Sequence, residues 1–198
     1  MNTAPLWYWD PKRDGHRRWR IFISHRHQTD RALYDDVLQT LMRQGHAVQD
    51  MSLPENKTIS GPKGGQLPAM EIQAQVAARI YTSDLLVAPS RPGATRSEWV
   101  TWEVQLAAVG YGVPVLFVRE PDLTYNTSLV AEMAKLGLTH AVAERNTQDI
   151  VRKAVDLSPA RPRWAMRLEE PDQGLAFRGP PQQARDKIMA QFPFQPPV

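Results

Sequence analysis

Apolar residues through most of the chain fall into short continuous runs, and the segments between these runs carry apolar residues at helical spacing. The runs at residues 20–24, 84–89 and 114–118 show no alternation of apolar and polar positions, which is typical of strands buried on both faces. Weaker runs at 47–50 and 140–143 complete a set of five predicted strands.

The segments between the runs predict helices. In the first of them, Leu33, Val37 and Leu41 share one helical face, with Thr29 or Asp30 as the cap. The other helical repeats lie at about residues 72–80, 98–109, 129–136 and 147–157. Strand and helix alternate five times, which predicts an α/β fold with a doubly wound parallel five-stranded sheet flanked by helices.

Polar residues follow three of the predicted strands. Ser24, His25 and Arg26 come after the first strand, Asp50 ends the second, and residues 90–97 follow the third. In open α/β sheets, ligands bind beyond the carboxyl ends of the strands, at the point where the strand order reverses. We therefore expect these residues to form the site.

The composition divides the chain into three parts, with the predicted domain at residues 20–157. Residues 1–19 form an aromatic and basic lead-in with four tryptophan or tyrosine side chains, which either packs on the domain or serves as a docking arm. We favour packing. Residues 158–198 form a Pro-rich extension that holds 8 of the 17 prolines.

Several classes of protein fit the composition poorly. The chain has no cysteine, which excludes disulfides and cysteine–zinc sites and fits a reducing compartment. It shows no signal peptide and no membrane-spanning run, so we expect a cytoplasmic protein without membrane contact. Four histidines lack metal-site spacing with carboxylates or with each other, and we predict no metal; they are His16, His27, His46 and His140.

The net charge of +3 is modest, but basic residues cluster near the start of the chain. Such a cluster binds phosphate or nucleic acid in some proteins and is a solvated face in more of them. No nucleic-acid module accompanies it, so we favour the solvated face. The cluster consists of Lys12, Arg13, Arg17, Arg18, Arg20 and Arg26.

Glu103 is the most unusual residue of the pattern. On a helical wheel it falls within a broad apolar arc, one turn from Trp99, while Thr101 and Gln105 lie on the opposite side. Burying a carboxylate is costly unless it is compensated. Glu103 is either structural, paired with a group such as Arg79 or with backbone, or a functional acid in a lined pocket. The pattern leaves both interpretations open.

Three motifs resemble TIR domains, in particular the TIR-like branch of bacterial antiphage defence, the ThsB-like proteins of Thoeris. The strand at 20–24 with His25 and then Asp30 resembles the start of the family fold. Residues 97–103, Ser-Glu-Trp-Val-Thr-Trp-Glu, resemble its Ser-x-Trp-x-x-x-Glu helix, and residues 114–118 resemble the following strand. The resemblance covers about residues 20–157 and implies a flavodoxin-like TIR fold.

TIR enzymes of this kind cleave the bond between nicotinamide and ribose in NAD. The resemblance implies that Glu103 is the catalytic carboxylate and that Trp99 is the aromatic residue beside it. NAD would be the substrate, and no cofactor is expected. Ser24, His25, Arg26 and Asp50 are candidates for substrate binding, and Ser97 is a weaker one because it is better explained as a helix cap.

We therefore favour an NAD-cleaving enzyme that produces nicotinamide and an ADP-ribose-derived signal in bacterial antiviral defence. A second hypothesis is a non-catalytic TIR-like interaction module, and a third is a nucleoside deoxyribosyltransferase-like enzyme, which shares the architecture and uses a glutamate. The expected partners are NAD, a second copy of the chain through TIR surfaces, and an effector that senses the product.

Overall fold

The structure is a computed structural model that describes residues 18–24, 30–44, 47–52, 69–91, 98–123 and 127–158. It contains an alternating series of strands and helices, and the five predicted strands are confirmed. In chain order the elements are β1 (Arg18–Ile23), α1 (Arg31–Arg43), β2 (Ala47–Asp50), α2 (Ala69–Tyr81), β3 (Leu85–Ser90), α3 (Glu98–Gln105), a π-helical turn (Leu106–Gly110), β4 (Val115–Arg119), α4 (Ser128–Lys135), β5 (His140–Glu144) and α5 (Thr147–Leu157).

The strands form one parallel sheet in the order β2-β1-β3-β4-β5. The pairs Ile21–Leu85 and Phe22–Leu86 set the register between the two central strands. The chain adds strands first on one side of β1 and then on the other, so the strand order reverses between β1 and β3. This confirms the doubly wound α/β fold, and it places the switch point between the carboxyl ends of these two strands.

Each face of the sheet carries its own apolar core, because successive side chains of a strand point to opposite faces. Phe22, Leu86 and Phe117 pack under α2, α3 and α4. Ile21, Val87 and other side chains of the opposite parity pack under α1 and α5. The continuous apolar runs of the strands follow from this double burial.

The helices begin and end where the local chemistry allows. Leu33, Val37 and Leu41 are buried, as the helical spacing predicts. Asn146 caps α5, since its side chain accepts a hydrogen bond from the Asp149 N–H at 2.9 Å. The chain turns from the π-helical turn into β4 through Gly112, whose φ of +61° is rare for any residue with a Cβ.

Two other expectations meet the structure here. Trp19 lies in β1 and is buried, so this aromatic residue of the lead-in packs on the domain. The other aromatic residues of the lead-in and most of the Pro-rich extension lie outside the described residues, and both segment boundaries stay predictions. Within the described ranges, every helix falls short of the length and apolar character needed to cross a bilayer.

Candidate active site

The switch point brings together side chains from β1, β3 and α3. Ser24 follows β1 directly, and its N–H donates to the Val87 carbonyl at 2.8 Å, which continues the sheet pairing by one residue. Ser24 has the same parity as Phe22, so its side chain points to the face that α3 covers. Glu103 on α3 meets it there.

Glu103 accepts a hydrogen bond from the Ser24 hydroxyl, with 2.5 Å between Oγ and Oε2. Glu103 is only 9% exposed, and Ser24 is also buried. The helical wheel thus correctly placed Glu103 on a buried face. Its partner in the structure is a serine hydroxyl from the end of a strand 79 residues earlier.

The surroundings of Glu103 change its ionisation. Burial raises the pKa of this carboxyl to about 7, although the hydrogen bond from Ser24 acts in the opposite direction. Burial disfavours the charged form, and a hydroxyl donor favours it. Near neutral pH the residue therefore exists in both protonation states, which is a property of carboxyls that act in catalysis.

Arg79 does not neutralise Glu103, which was one of the structural interpretations of the sequence. Its Nη1 donates to the carbonyl oxygens of Met51 and Ser52, at 3.1 and 3.0 Å. The guanidinium thereby ties α2 to the backbone that follows β2. Among the residues that the structure describes, the compensation for the buried carboxylate is one hydroxyl, which is little for a group of this burial.

Asp50 organises the end of β2. Its carboxylate accepts hydrogen bonds from the Tyr34 hydroxyl and from the Ser52 N–H. The Ser52 hydroxyl in turn accepts from the Ile23 N–H at 2.9 Å. Asp50 thus fixes the backbone one residue before Ser24 through Ser52, and it is connected to the site indirectly as well as lying at the same edge of the sheet.

Two tryptophans of α3 lie beside the carboxylate along the helix. Trp99 and Trp102 pack edge to face, with 5.6 Å between ring centroids and an angle of 89° between the planes. Trp102 is buried, whereas Trp99 is half-buried and packs against the core from its margin. Trp99 therefore lies one helical turn from Glu103 and keeps part of its aromatic surface exposed.

An ion pair that the sequence analysis did not anticipate joins two segments beside the site. Arg91 follows β3, and its Nη2 lies 2.5 Å from Oδ1 of the buried Asp30 at the start of α1. Asp30 was expected as a helix cap, but its side chain makes no capping hydrogen bond. A carboxylate at a helix start, followed far along the chain by an arginine after a strand, was the available signal.

Gln105 corrects the helical wheel. The sequence analysis placed it on the polar side of α3, whereas the structure buries it at the junction with the π-helical turn. Packing of this helix against α2, the sheet and the π-helical turn encloses more of its circumference than the apolar arc indicated. Thr101, the other residue assigned to the polar side, is half-buried.

The structure thus brings Ser24 and Glu103 into contact, with Trp99 one helical turn from Glu103 and Asp50 linked to the Ile23 backbone through Ser52. His25, Arg26 and Ser97 lie outside the described residues, so their predicted roles stay predictions. Among the residues that the structure describes, no group of three or more histidine or acidic side chains could hold a metal ion. A buried carboxylate of raised pKa beside a hydroxyl and an indole can stabilise positive charge on a ligand or exchange a proton with it.

Comparison with known proteins gives one family. A family model described as "Thoeris protein ThsB, TIR-like domain" matches residues 22–125, slightly more than half of the chain. A search of curated proteins finds no match. Among solved structures, a CMP N-glycosidase of Clostridium botulinum, BcmB, is 14% identical over 70% of this chain and 98% of that chain, with a TM-score of 0.44. A likeness at that level carries no argument about the site.

Proposed function

The chain belongs to the TIR-like family of the Thoeris protein ThsB, a family of antiphage defence, and from that premise we propose that it cleaves the nicotinamide–ribose bond of NAD. One observation carries the proposal. Glu103 is a buried carboxyl at the switch point of the sheet that accepts a hydrogen bond from a hydroxyl, and the arginine expected as its structural partner, Arg79, is bonded to backbone carbonyls instead. A chain that only bound partners through its surface would gain nothing from such a group.

The chemistry suits a single carboxylate. Cleavage breaks the bond between C1′ of the ribose and N1 of nicotinamide, and the bonding electrons leave with the ring, whose positive charge is thereby neutralised. The ribose acquires oxocarbenium character, as in glycoside cleavage. An ionised Glu103 stabilises that developing charge within an enclosed site, where a fixed charge acts more strongly than in water.

The second half of the reaction sets the product. Water adds to C1′ and loses a proton, which gives ADP-ribose. Attack by a nucleophile of the same substrate gives a cyclised product, and attack by a second molecule gives a conjugate. Nicotinamide is already a good leaving group, so no second carboxyl is required as a general acid.

The neighbouring side chains have distinct roles in this proposal. Ser24 orients the carboxylate of Glu103 and favours its ionised form. Trp99 supplies an aromatic wall for the nicotinamide ring or ribose. Asp50 positions the backbone at Ser24, and His25, Arg26 and Ser97 contribute further contacts to the nucleotide. Self-association through TIR surfaces completes the site, and an effector senses the product.

The test compares the wild type with Glu103→Gln and with Glu132→Gln, a matched change on α4. Each protein is incubated with NAD at high concentration, and the products are resolved by mass spectrometry. We expect nicotinamide release by the wild type and by Glu132→Gln, and a loss of at least about 100-fold in Glu103→Gln. The mass of the ribose-containing product separates hydrolysis from cyclisation and conjugation.

Other results would point to the alternatives. Equal activity in the wild type and in Glu103→Gln would make the glutamate structural and the site assignment wrong. Transfer of deoxyribose between bases, with no action on NAD, would favour the deoxyribosyltransferase-like enzyme. The interaction module would be favoured if the protein showed neither activity and no NAD binding, both alone and after addition of lysate from phage-infected cells.

A further inference from the structure

Ser90, the last residue of β3, has a hydroxyl that the fold encloses without using. The residue is 0% exposed, and its Oγ has no hydrogen-bond partner among the described residues. Serine hydroxyls elsewhere in the core are used. Ser24 donates to Glu103, Ser83 donates to the Arg79 carbonyl at 2.7 Å, and Ser52 accepts from the Ile23 N–H. The contrast makes Ser90 an exception that needs an explanation.

The position of Ser90 relates it to the site. Leu86 and Ala88 belong to the core under α2 and α3, so Ser90, of the same parity, faces the same side of the sheet. Ile23 pairs with Val87, which places Ser24 opposite Ala88. Ser90 therefore lies two residues further along the neighbouring strand, with its Cα about 8 Å from that of Ser24 by ordinary sheet spacing.

A spacing of this size suits a sugar ring. One serine and the carboxylate it holds lie on one side, and a second hydroxyl lies across the switch point. An enclosed hydroxyl without a partner costs free energy, because it has lost its hydrogen bonds to water and gained none in return. A ligand hydroxyl removes that cost on binding, so the unused group favours a ligand that brings a hydrogen-bonding oxygen.

We propose that the Ser90 hydroxyl is a substrate-binding group that hydrogen-bonds a hydroxyl of the nicotinamide ribose, across the site from Ser24 and Glu103. This rests on the proposed function, since it names how that same site holds the sugar. Ser24 acts on the reacting carboxylate, whereas Ser90 acts on the substrate alone. Removal of Ser90 therefore weakens binding and leaves the ionisation of Glu103 unchanged.

The experiment measures NAD binding by calorimetry in the Glu103→Gln background, in which the substrate persists. Ser90→Ala is compared with Ser83→Ala, which changes a buried serine two residues before the same strand. We expect Ser90→Ala to raise the Kd for NAD about tenfold and to leave the midpoint of urea unfolding unchanged or slightly higher. Ser83→Ala lowers that midpoint and leaves the Kd unchanged.

Two analogues of NAD identify the contact. They lack either the 2′- or the 3′-hydroxyl of the nicotinamide ribose. For the analogue that lacks the contacted hydroxyl, we expect Ser90→Ala to have no further effect on the Kd, because the pair is already broken. For the other analogue, we expect Ser90→Ala still to raise the Kd about tenfold.

The outcomes separate the two proposals. Equal Kd values for NAD with serine and alanine at position 90, or an undiminished loss with both analogues, would overturn the assignment of Ser90 and leave the proposed function standing. Absence of NAD binding in all variants, together with absence of nicotinamide release by the wild type, would overturn the proposed function and the Ser90 contact with it.

Discussion

Two carboxylates at the same edge of the sheet have opposite fates. Glu103, near the ends of β1 and β3, is buried and accepts a hydrogen bond from the Ser24 hydroxyl, and burial raises its pKa to about 7. Asp149, beside the end of β5, accepts hydrogen bonds from the Glu144 N–H, Arg152 and Lys153. Partial burial acts to raise the pKa of Asp149, but these bonds and the Lys153 charge outweigh it and lower the pKa to about 2.

Other charged residues at the carboxyl ends of β4 and β5, the β4–β5 half of this edge, are paired as Asp149 is. Arg119 pairs with Glu144 at 2.9 Å, and Arg145 bridges Asp36 on α1 and Glu120 after β4. These charges are partly exposed and have opposite charges close by. At the carboxyl ends of β1 and β3, the β1–β3 half, Glu103 is buried with one hydroxyl donor and Ser90 Oγ has no hydrogen-bond partner, among the residues that the structure describes.

Under the proposed function, the β1–β3 half of the edge serves the reaction and the β4–β5 half serves stability. Satisfied charges lower the free energy of the folded state, whereas a poorly compensated carboxyl raises it and is usually retained for function. The two halves share one sheet and one topology. The contrast therefore lies in the side chains rather than in the fold, and each prediction below acts on one side of it.

The largest effect is expected from Glu103→Gln on stability. The folded state holds the Glu103 proton up to about pH 7, and the unfolded chain releases it near pH 4.5, so burial of Glu103 costs stability increasingly as pH rises between these values. The difference between the two pKa values corresponds to about 3 kcal/mol of folding free energy, at about 1.36 kcal/mol per pKa unit. We expect Glu103→Gln to be more stable than the wild type by up to about 3 kcal/mol at pH 8 and equal to it near pH 4.

Urea unfolding at the two pH values checks this, with Glu132→Gln on α4 as the control. A loss of stability at pH 8 in Glu103→Gln would mean that ionised Glu103 stabilises the fold. The two halves would then not differ in the way described above.

A smaller effect of the opposite sign is expected from Asp149→Asn. The lowered pKa means that ionised Asp149 stabilises the fold above about pH 4, and that this contribution is lost as pH falls towards 2. After allowance for screening by solvent, we expect the variant to lose about 1–2 kcal/mol at pH 7. Thermal unfolding of the wild type and of Asp149→Asn at pH 7 and pH 3 measures this loss of stability. NAD turnover per folded molecule should not change, and a fall in turnover would show that this half also serves the reaction.

The smallest expected effect is that of Ser24→Ala on the ionisation of Glu103. The Ser24 hydroxyl favours the charged form, so its removal moves the pKa of Glu103 upwards, by about one unit for a hydrogen bond to a charged group. The wild-type kcat/KM for NAD should rise with pH through about 7, and in Ser24→Ala that rise should lie at higher pH. Carboxyl-carbon NMR titration reports the same pKa without turnover, and Ser83→Ala is the control. Coincident titrations of Ser24→Ala and the wild type would remove Ser24 from this role.

Much of the fold could be predicted because burial on both faces leaves a plain signature. Residues 84–89 and 114–118 are uninterrupted apolar runs, and both became central strands within one residue of the expected ends. The wheel of α3 found Glu103 for the same reason, since a charge within an apolar arc stands out against a regular pattern. It failed at Gln105, because a wheel describes one helix and cannot know how much of it the neighbours enclose.

The partners within the site could not be predicted, since they depend on tertiary contacts. Ser24 and Glu103 meet across 79 positions, and Asp30 and Arg91 across 61. Local pattern offered Arg79 as a partner for Glu103, but the register between β1 and β2 places two backbone carbonyls within its reach instead. The unused hydroxyl of Ser90 has no signature in sequence at all, because a serine after an apolar strand is common.

The π-helical turn after α3 affects the direction in which Glu103 points. Its wide ring closes between the Tyr111 N–H and the Leu106 carbonyl at 3.0 Å, five residues apart, so it holds one residue more than an α-helical turn. Beyond it, the pairing of Leu86 with Val115 anchors the chain. The turn thus absorbs one additional residue between α3 and that anchor, and a regular α-helix with the same number of residues would instead rotate α3 by about 100° relative to it. The helix would then present a different residue to Ser24, so the direction in which Glu103 points depends on the wide ring of this turn as much as on any side chain.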